Sequence, residues 1–405
     1  MVWQRFNTRF HRTLVEAHEK YGPVVRVKPN KLMIASPEGF KIIYKLSPRN
    51  AGKGFVKGKL YGVVKGKRTF DMTAERDENV HSQQRRLVSC AYAMDTMKSL
   101  EPYVDATIEV LLEKIEEAGS KGQVANFSYL LQFLAFDVIG EVSFARRFGY
   151  LDALSDGGVF RTISAVMASA VRVGEVPWLY HLHERFAPLI GNLSKLLAVH
   201  REKPQLSESD VGFTLTANVT AGSDTTTFTL AAVFHYLLTT PEALGRLLRE
   251  LKDKVVSGEV KADGVVTEKV AESWSYLQAV LMEGMRLHPA IGALPPRVVP
   301  KEGLRFGDYF VPAGYEVGTT AWALHRNRGV FGDDAEDFRP ERWLDEQRKH
   351  EMYPNRCFFS IGGGSRTCIG KNIAMLEMGK VLPTILLHFD LQLAPEKGSP
   401  KEVYG

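Results

Sequence analysis

Apolar positions near the start of the chain fall into short blocks parted by chain-breaking residues. Tyr21-Gly22-Pro23 precedes a block from Val24 to Val27, Pro29-Asn30 follows, and Leu32 to Ile34 closes the series. Blocks of this length predict a small sheet with a hairpin turn at Pro29-Asn30. The period then lengthens. Thr96 to Ala118 and Tyr129 to Phe144 repeat apolar residues at helical spacing. Thr240-Pro241 predicts a helix start, with proline in the first turn where its missing N–H costs nothing. Arg305 to Thr319 is strand-like again, punctuated by Gly307, Pro312 and Gly314; a final helix follows Gly370, and Phe389 to Leu393 reads as a last strand. The expected fold class is mainly α with a small β-sheet region. Lys203-Pro204 gives only a loop signal, and no repeat or flexible linker divides the chain, so one domain over residues 1–405 is expected.

Composition narrows this picture. The chain has 405 residues, 44% hydrophobic and 24% charged, the balance of a folded chain rather than a disordered one. A net charge of +5 without any concentrated basic run argues against nucleic acid as a partner. Three cysteines, Cys90, Cys357 and Cys368, cannot build a disulfide framework, and an odd count suits a reducing compartment. The longest stretch free of charge, Thr225 to Pro241, covers 17 residues and holds six threonines and a histidine. It is too polar and slightly too short to span a bilayer. The first twenty residues carry Arg5, Arg9, Arg12, Glu16 and Glu19 with no apolar block, so no signal peptide or membrane anchor is expected in them.

Chemistry concentrates in Phe358-Phe359-Ser360-Ile361-Gly362-Gly363-Gly364-Ser365-Arg366-Thr367-Cys368-Ile369-Gly370. The glycines let the backbone turn tightly and approach a flat ligand. Cys368 falls just before a predicted helix, where free amides and the helix dipole favour a thiolate over a thiol. Such a thiolate is a strong ligand for haem iron, and Arg366 is placed to pair with a haem propionate. Inert buried thiol is the simpler expectation for Cys90 and Cys357. A phosphate-binding loop is excluded, because Ser365 and Asn372 stand where that motif needs Gly and Ser or Thr around Gly370-Lys371.

This loop resembles the haem-binding signature of the cytochrome P-450 superfamily, F-x-x-G-x-R-x-C-x-G, with Gly364, Arg366, Cys368 and Gly370 as matches. Ile361 stands where the family usually has Phe beside the sulfur. Glu283 and Arg286 form an E-x-x-R pair on a predicted helical stripe, upstream of Phe338-Arg339-Pro340-Glu341-Arg342-Trp343. The resemblance implies a buried structural network of Glu283, Arg286 and Arg342. Gly222 and a run of threonines are poor helix formers, and Ala221-Gly222-Ser223-Asp224-Thr225-Thr226 is similar to the family's oxygen-activating motif. That implies a groove for dioxygen at Gly222 and catalytic, proton-handling roles for Asp224 and Thr225. A second helix capped by Ser223 or Asp224 is the plain alternative. His81 and Arg85, four apart, resemble the propionate-binding helix, and Arg297 after Leu294-Pro295-Pro296 occupies another propionate-contact position. The Asn218-Val219-Thr220 sequon is discounted because it lies in the oxygen-groove helix.

The resemblance runs from Tyr21-Gly22-Pro23-Val24-Val25-Arg26 through Asp137-Val138-Ile139-Gly140 to the last helix, in the manner of fungal, pisatin demethylase-like members. It implies a cytochrome P-450 fold with a shortened lid region between Trp178 and Asp224, centred on residues 195–215. It implies a monooxygenase that inserts one oxygen atom of O2 into a small apolar or aromatic metabolite, in secondary metabolism or detoxification. A truncated, non-catalytic or uncoupled haem-binding remnant is the alternative. The cofactor implied is haem b, iron protoporphyrin, on the Cys368 thiolate. Electrons would come from NADPH through a flavoprotein reductase whose acidic face meets Arg356, Lys371 and Lys380. Contact with a membrane at the cytoplasmic side of the endoplasmic reticulum is implied as well, or a soluble cytoplasmic protein if an anchor is genuinely missing.

Overall fold

The computed structural model describes residues 9–44, 54–65, 68–165, 208–292, 295–345 and 357–394. Arg356 lies outside them, and so does the predicted shortening at 195–215 up to residue 207.

Helix α1 (Phe10–Tyr21) leads into β1 (Val24–Lys28) and β2 (Lys31–Ile34), which pair antiparallel around Pro29-Asn30 as the sequence predicts. Helix α2 (Pro37–Tyr44) follows, then the short strand β3 (Val56–Lys57). Asp77 starts α3 (Glu78–Val88) by accepting from the amides of Asn79 and Val80 at 2.8 and 3.1 Å, which satisfies donors that a helix start leaves open. The periodic run from Thr96 to Ala118 is two helices, Met94–Ser99 and α4 (Glu101–Ser120). Pro102 opens the second, a break that apolar spacing alone does not register.

Helix α5 (Phe127–Phe144) is buried along most of its length. Its composition would let it cross a membrane, yet 56% of it is buried inside the protein, as in the core helix of a bundle. Asp137 within it accepts from the amides of Gly149, Tyr150 and Leu151 at 2.8 to 3.2 Å. The next long helix, α6 (Glu208–Thr239), runs unbroken through Ser223 and Asp224, so the capped second helix does not occur. Helix α7 (Pro241–Val256) begins at the predicted proline, and α8 (Ser275–Leu287) carries the E-x-x-R pair.

Strands β4 (Arg297–Val298), β5 (Leu304–Phe306), β6 (Tyr309–Val311) and β7 (Glu316–Gly318) come next. The main sheet has the order β1-β2-β7-β4-β3, and β5 and β6 form a separate hairpin. Helix α9 (Lys371–His388) closes the described fold, and residues 389–393 carry no strand. The two-residue-period signal there is answered by packing, since Phe389 and Leu391 rest against the core. One core joins α4, α5, α6, α8 and α9 through fully buried Leu111, Leu131, Leu230, Val233, Val280 and Val381. The cysteine loop emerges from this core against α8, α2 and α3.

Candidate functional site

The cysteine loop is held by its own backbone and by the helix behind it. The amide of Gly362 donates to Phe359 and that of Cys368 to Ile361, at 3.1 and 2.8 Å. Gly362 has φ 76°, and a Cβ there would meet the Arg366 carbonyl at 3.2 Å. Glycine alone takes both conditions without strain. Ser360 Oγ donates to the Met285 carbonyl of α8 at 2.6 Å.

His325 ties the loop to the charges beneath it. Its Nε2 accepts from the Phe359 amide at 2.8 Å, so its Nδ1 carries the hydrogen and donates to the Arg286 carbonyl at 2.9 Å. Burial pushes this histidine down to about 3, which keeps it neutral, and its two backbone partners fix that tautomer. Below it, Glu283 binds Arg286 in bidentate fashion at 2.8 Å and Arg342 Nε at 2.9 Å. Trp343 Nε1 and the Arg339 amide also donate to it, at 2.8 and 3.0 Å. The remaining guanidinium hydrogens reach the carbonyls of His325, Ala335, Asp337, Phe331 and Asp334. Full pairing is what makes three buried charges tolerable. The structure thus brings Glu283, Arg286 and Arg342 together behind the loop.

Cys368 itself is reached by solvent from the front of the loop. Crowding by protein atoms pushes its thiol up, against the opposing pull of the Gly370 amide, Arg85 and the Lys371 amide. The helix start therefore does less than the sequence reading assigns to it. A bound metal deprotonates a coordinating thiol outright.

The face opposite the loop comes from α6. Tyr92, at the end of the 3-10 turn Ser89–Tyr92, links the two sides: its hydroxyl donates to Asn218 of α6 at 2.8 Å and its carbonyl accepts from Asn372 of α9 at 2.8 Å. One turn beyond Asn218, Ala221 is exposed and Thr225 half-exposed, on the same face of the helix. The Thr225 hydroxyl donates to the Ala221 carbonyl at 2.8 Å. Ser223, Thr226, Thr227 and Thr229 bond back four residues in the same way, which satisfies hydroxyls in a helix and tends to bend it. One sequence expectation changes here, and one contact is added. A Cβ on Gly222 would meet Ile139 of α5 at 3.3 Å, so this glycine serves helix packing rather than a groove for dioxygen. Asp224 does not meet Thr225; its Oδ1 accepts from Gln132 of α5 at 2.8 Å.

A third group lies at the sheet end. Lys57 and Arg297 are directly opposed on β3 and β4, and both are buried. Like charges so placed repel. Burial, Arg366 and Arg297 together lower the Lys57 ammonium to about 7. Arg366 binds Glu78 at 2.8 Å, but its Nη1 is buried without a partner, as is Nδ1 of His81. Burial and the Arg366 charge hold His81 down to about 4. Arg85 donates to the Thr367 carbonyl at 2.7 Å. The nearby acids are spent elsewhere, Asp71 on Arg68 and Glu75 on Lys65. Lys57, Arg85 and Arg297 have no carboxylate partner among the described residues. The sequence reading missed Lys57, Gln132 and His325. Lys57 shows itself only through its register opposite Arg297, and the other two only through their partners.

Lys380 is a correction. It is fully buried between Glu101 and Asp105, 2.8 Å from the latter, and offers nothing to a partner's acidic face.

A sequence profile of the family described as cytochrome P-450 matches residues 1–182 and 188–404. The chain is 38% identical to cytochrome P-450 monooxygenase hepC of Aspergillus oryzae, over 98% of this chain and 86% of that one. It is 32% identical to cytochrome P-450 monooxygenase cicH of Emericella nidulans, over 96% and 85%. It is 31% identical to a pisatin demethylase of Fusarium vanettenii, over 97% and 81%. The chain belongs to the cytochrome P-450 family. A crystal structure of a cytochrome P-450, 19% identical, superposes with a TM-score of 0.74 over 96% of this chain and 93% of its own, which shows the same fold. The chain is accordingly a P-450-type oxidoreductase, related to fungal cytochrome P-450 monooxygenases.

Membership implies haem held by a cysteine thiolate, and the residues present fit that group. An accessible cysteine stands on the loop, Ala221 and Thr225 present one face of α6, and Lys57, Arg85 and Arg297, without carboxylate partners among the described residues, accompany two orphaned buried nitrogens, as a ligand bearing two carboxylates requires. Such a surplus of buried donors is rare in a protein complete without a ligand.

Proposed function

We propose that this cytochrome P-450 is a haem-dependent monooxygenase that inserts one atom of O2 into a small apolar or aromatic metabolite. It takes electrons one at a time from an NADPH-dependent flavoprotein reductase. The observation that carries the reading is the pairing of an accessible Cys368 with unpartnered His81 Nδ1 and Arg366 Nη1. A thiol and two orphaned nitrogens on the same loop and its neighbouring helix answer the iron and the carboxylates of one iron protoporphyrin. When bound, haem supplies the oxygen-activating chemistry, with electron donation from thiolate favouring cleavage of the O–O bond.

The chain's own residues do the rest. Cys368 holds the iron, with Gly364 and Gly370 keeping the loop close to the ring. Arg366, His81, Arg85, Arg297 and Lys57 hold the propionates. Arg85 does so while bonded to the loop at Thr367, and it stabilises the thiolate. Once released from the Ala221 carbonyl that it meets at 2.8 Å, the Thr225 hydroxyl hands on protons that Asp224 passes inward; a proton shuttle of this kind contributes roughly 10²–10⁴-fold. Glu283, Arg286 and Arg342 keep the loop in place and touch no substrate. Lys371 stands beside the loop on the face from which a reductase would reach it.

The ligation is tested by reducing the purified protein under carbon monoxide. The expected Soret band is that of thiolate-bound haem. Cys368→Ala is expected to lose haem while Cys357→Ala keeps it; haem held by nitrogen in the parent chain, or retained with an unchanged band in Cys368→Ala, defeats the reading. Comparing NADPH consumed with product formed, with a reductase supplied, tests the monooxygenase outcome against an uncoupled remnant.

A further inference from the structure

We propose that Gln132 is a positioning residue for proton delivery: its side-chain amide parks the Asp224 carboxyl behind α6 and releases it to turn toward Thr225. This rests on the proton role given to Asp224 and Thr225 above.

The contact is specific. Gln132 Nε2 donates to Asp224 Oδ1 at 2.8 Å across the α5–α6 packing. Consecutive residues on a helix point about 100° apart, and the Thr225 hydroxyl is occupied with Ala221. In this arrangement the acid and the alcohol are out of reach of each other. For Asp224 to hand on a proton, its side chain must leave Gln132. A neutral amide makes that departure easier than a cationic partner would, since it adds no ion-pair attraction to the hydrogen bond, and its hold weakens further once the carboxyl is protonated and the bond is no longer charge-assisted.

The surroundings supply no such ion pair. Among the described residues Asp224 has no salt-bridge partner. The titratable groups of α5 are Tyr129, Asp137 and Glu141; Asp137 is spent on the amides of 149–151, and Glu141 faces Arg147. On α8, Glu283 and Arg286 pair with each other and Arg342. On α9, Lys380 is taken by Glu101 and Asp105, and Glu377 is buried and pushed up to about 8 by burial alone. Burial raises the Asp224 carboxyl and the Gln132 bond draws it back down, with no charged neighbour contributing. The carboxyl therefore takes up a proton more readily than an exposed aspartate, and a proton gained from solvent leaves again toward the Thr225 hydroxyl.

The test uses the haem-loaded protein. The infrared band of the protonated Asp224 carboxyl, assigned by its loss in Asp224→Asn, is followed against pH in three variants. Its midpoint is expected to rise in Gln132→Leu and Gln132→Glu and to fall in Gln132→Lys. In parallel, peroxide released per NADPH consumed is measured with a supplied reductase, a ratio that needs no identified substrate. Gln132→Lys is expected to slow proton delivery on the order of tenfold and to raise that ratio at neutral pH, with Gln132→Asn restoring part of the loss. Midpoints that stay put in all three variants overturn the contact's role. Coupling unchanged in Asp224→Asn, with midpoints still moving, overturns the relay itself and leaves Gln132 a structural contact. Coupling altered by Asp224→Asn but by no Gln132 variant overturns the positioning role alone.

Discussion

Behind the cysteine loop, Glu283 accepts five hydrogen bonds and both of its arginines spend their remaining hydrogens on carbonyls. In front of it, Lys57, Arg85 and Arg297 lack carboxylate partners among the described residues, and His81 and Arg366 each keep a buried nitrogen without a partner. The two regions lie on either side of one short loop. The first is complete as protein and depends on nothing else. The second is built with charge in excess, so that an anionic group bound there relieves repulsion among its cations. A rigid back and an unfinished front let the loop hold its shape before the cofactor arrives and bind strongly once it does.

The contrast is broken most forcefully from behind. Glu283→Ala strands two buried guanidinium groups and removes an acceptor from Trp343. Removing one member of such a network costs about 3–5 kcal/mol. The expected outcome is a chain that fails to accumulate as soluble haem protein, checked by soluble yield and Soret absorbance. Recovery of a normally folded, haem-loaded variant would show that the back region is not self-contained after all.

His325 probes the seam between the regions. His325→Phe keeps the ring stacked on Phe358, at 5.3 Å in the parent chain, but leaves the Phe359 amide and the Arg286 carbonyl unsatisfied. Each such buried group costs about 1–3 kcal/mol. The denaturant midpoint is expected to fall, and part of the carbon monoxide spectrum is expected to shift away from the thiolate form. His325→Gln, whose amide both accepts and donates, is expected to recover part of each loss. Full stability in the phenylalanine variant would place the loop's support in Ser360 and the glycine turns instead.

What was legible in the sequence follows the same division. The hairpin at Pro29-Asn30, the start at Pro241 and the helix through Leu277 to Leu287 rest on local signals, and the fold has them. The break at Leu100 and the absence of a strand at 389–393 depend on packing, which apolar spacing does not encode. In the site, Cys368, Arg366, Glu283 and Arg342 sit in contiguous motifs and could be read. Lys57, Gln132 and His325 could not, because each matters through one residue brought to it by the fold: Arg297 across a strand pair, Asp224 across a helix pair, Phe359 across the core. Gly222 and Lys380 were misread for the complementary reason. Their neighbours Ile139, Glu101 and Asp105 lie far away along the chain, and these neighbours decide whether a residue lines a groove or a surface.

The mildest test, and the one that most sharpens the comparison, is Lys57. Burial, then Arg366 and Arg297, hold its ammonium near 7, against about 10.4 for a free lysine. Between those values the unfolded chain carries a proton that the folded chain without its anion does not, so this residue makes stability rise with pH across that window. A propionate beside it reverses the balance and restores the higher value. Binding haem then takes up as much as one proton between pH 7 and 10, so haem affinity falls as pH rises, by roughly tenfold per unit where the uptake is complete. The rate of haem transfer to an acceptor protein, measured from pH 7 to 10, is expected to climb in the parent chain. In Lys57→Met it is expected to be flatter, with faster loss at pH 7, where the parent keeps its cation. An identical slope in both proteins would place the titrating group elsewhere among the front cations and make Lys57 a bystander held by the Thr73 carbonyl.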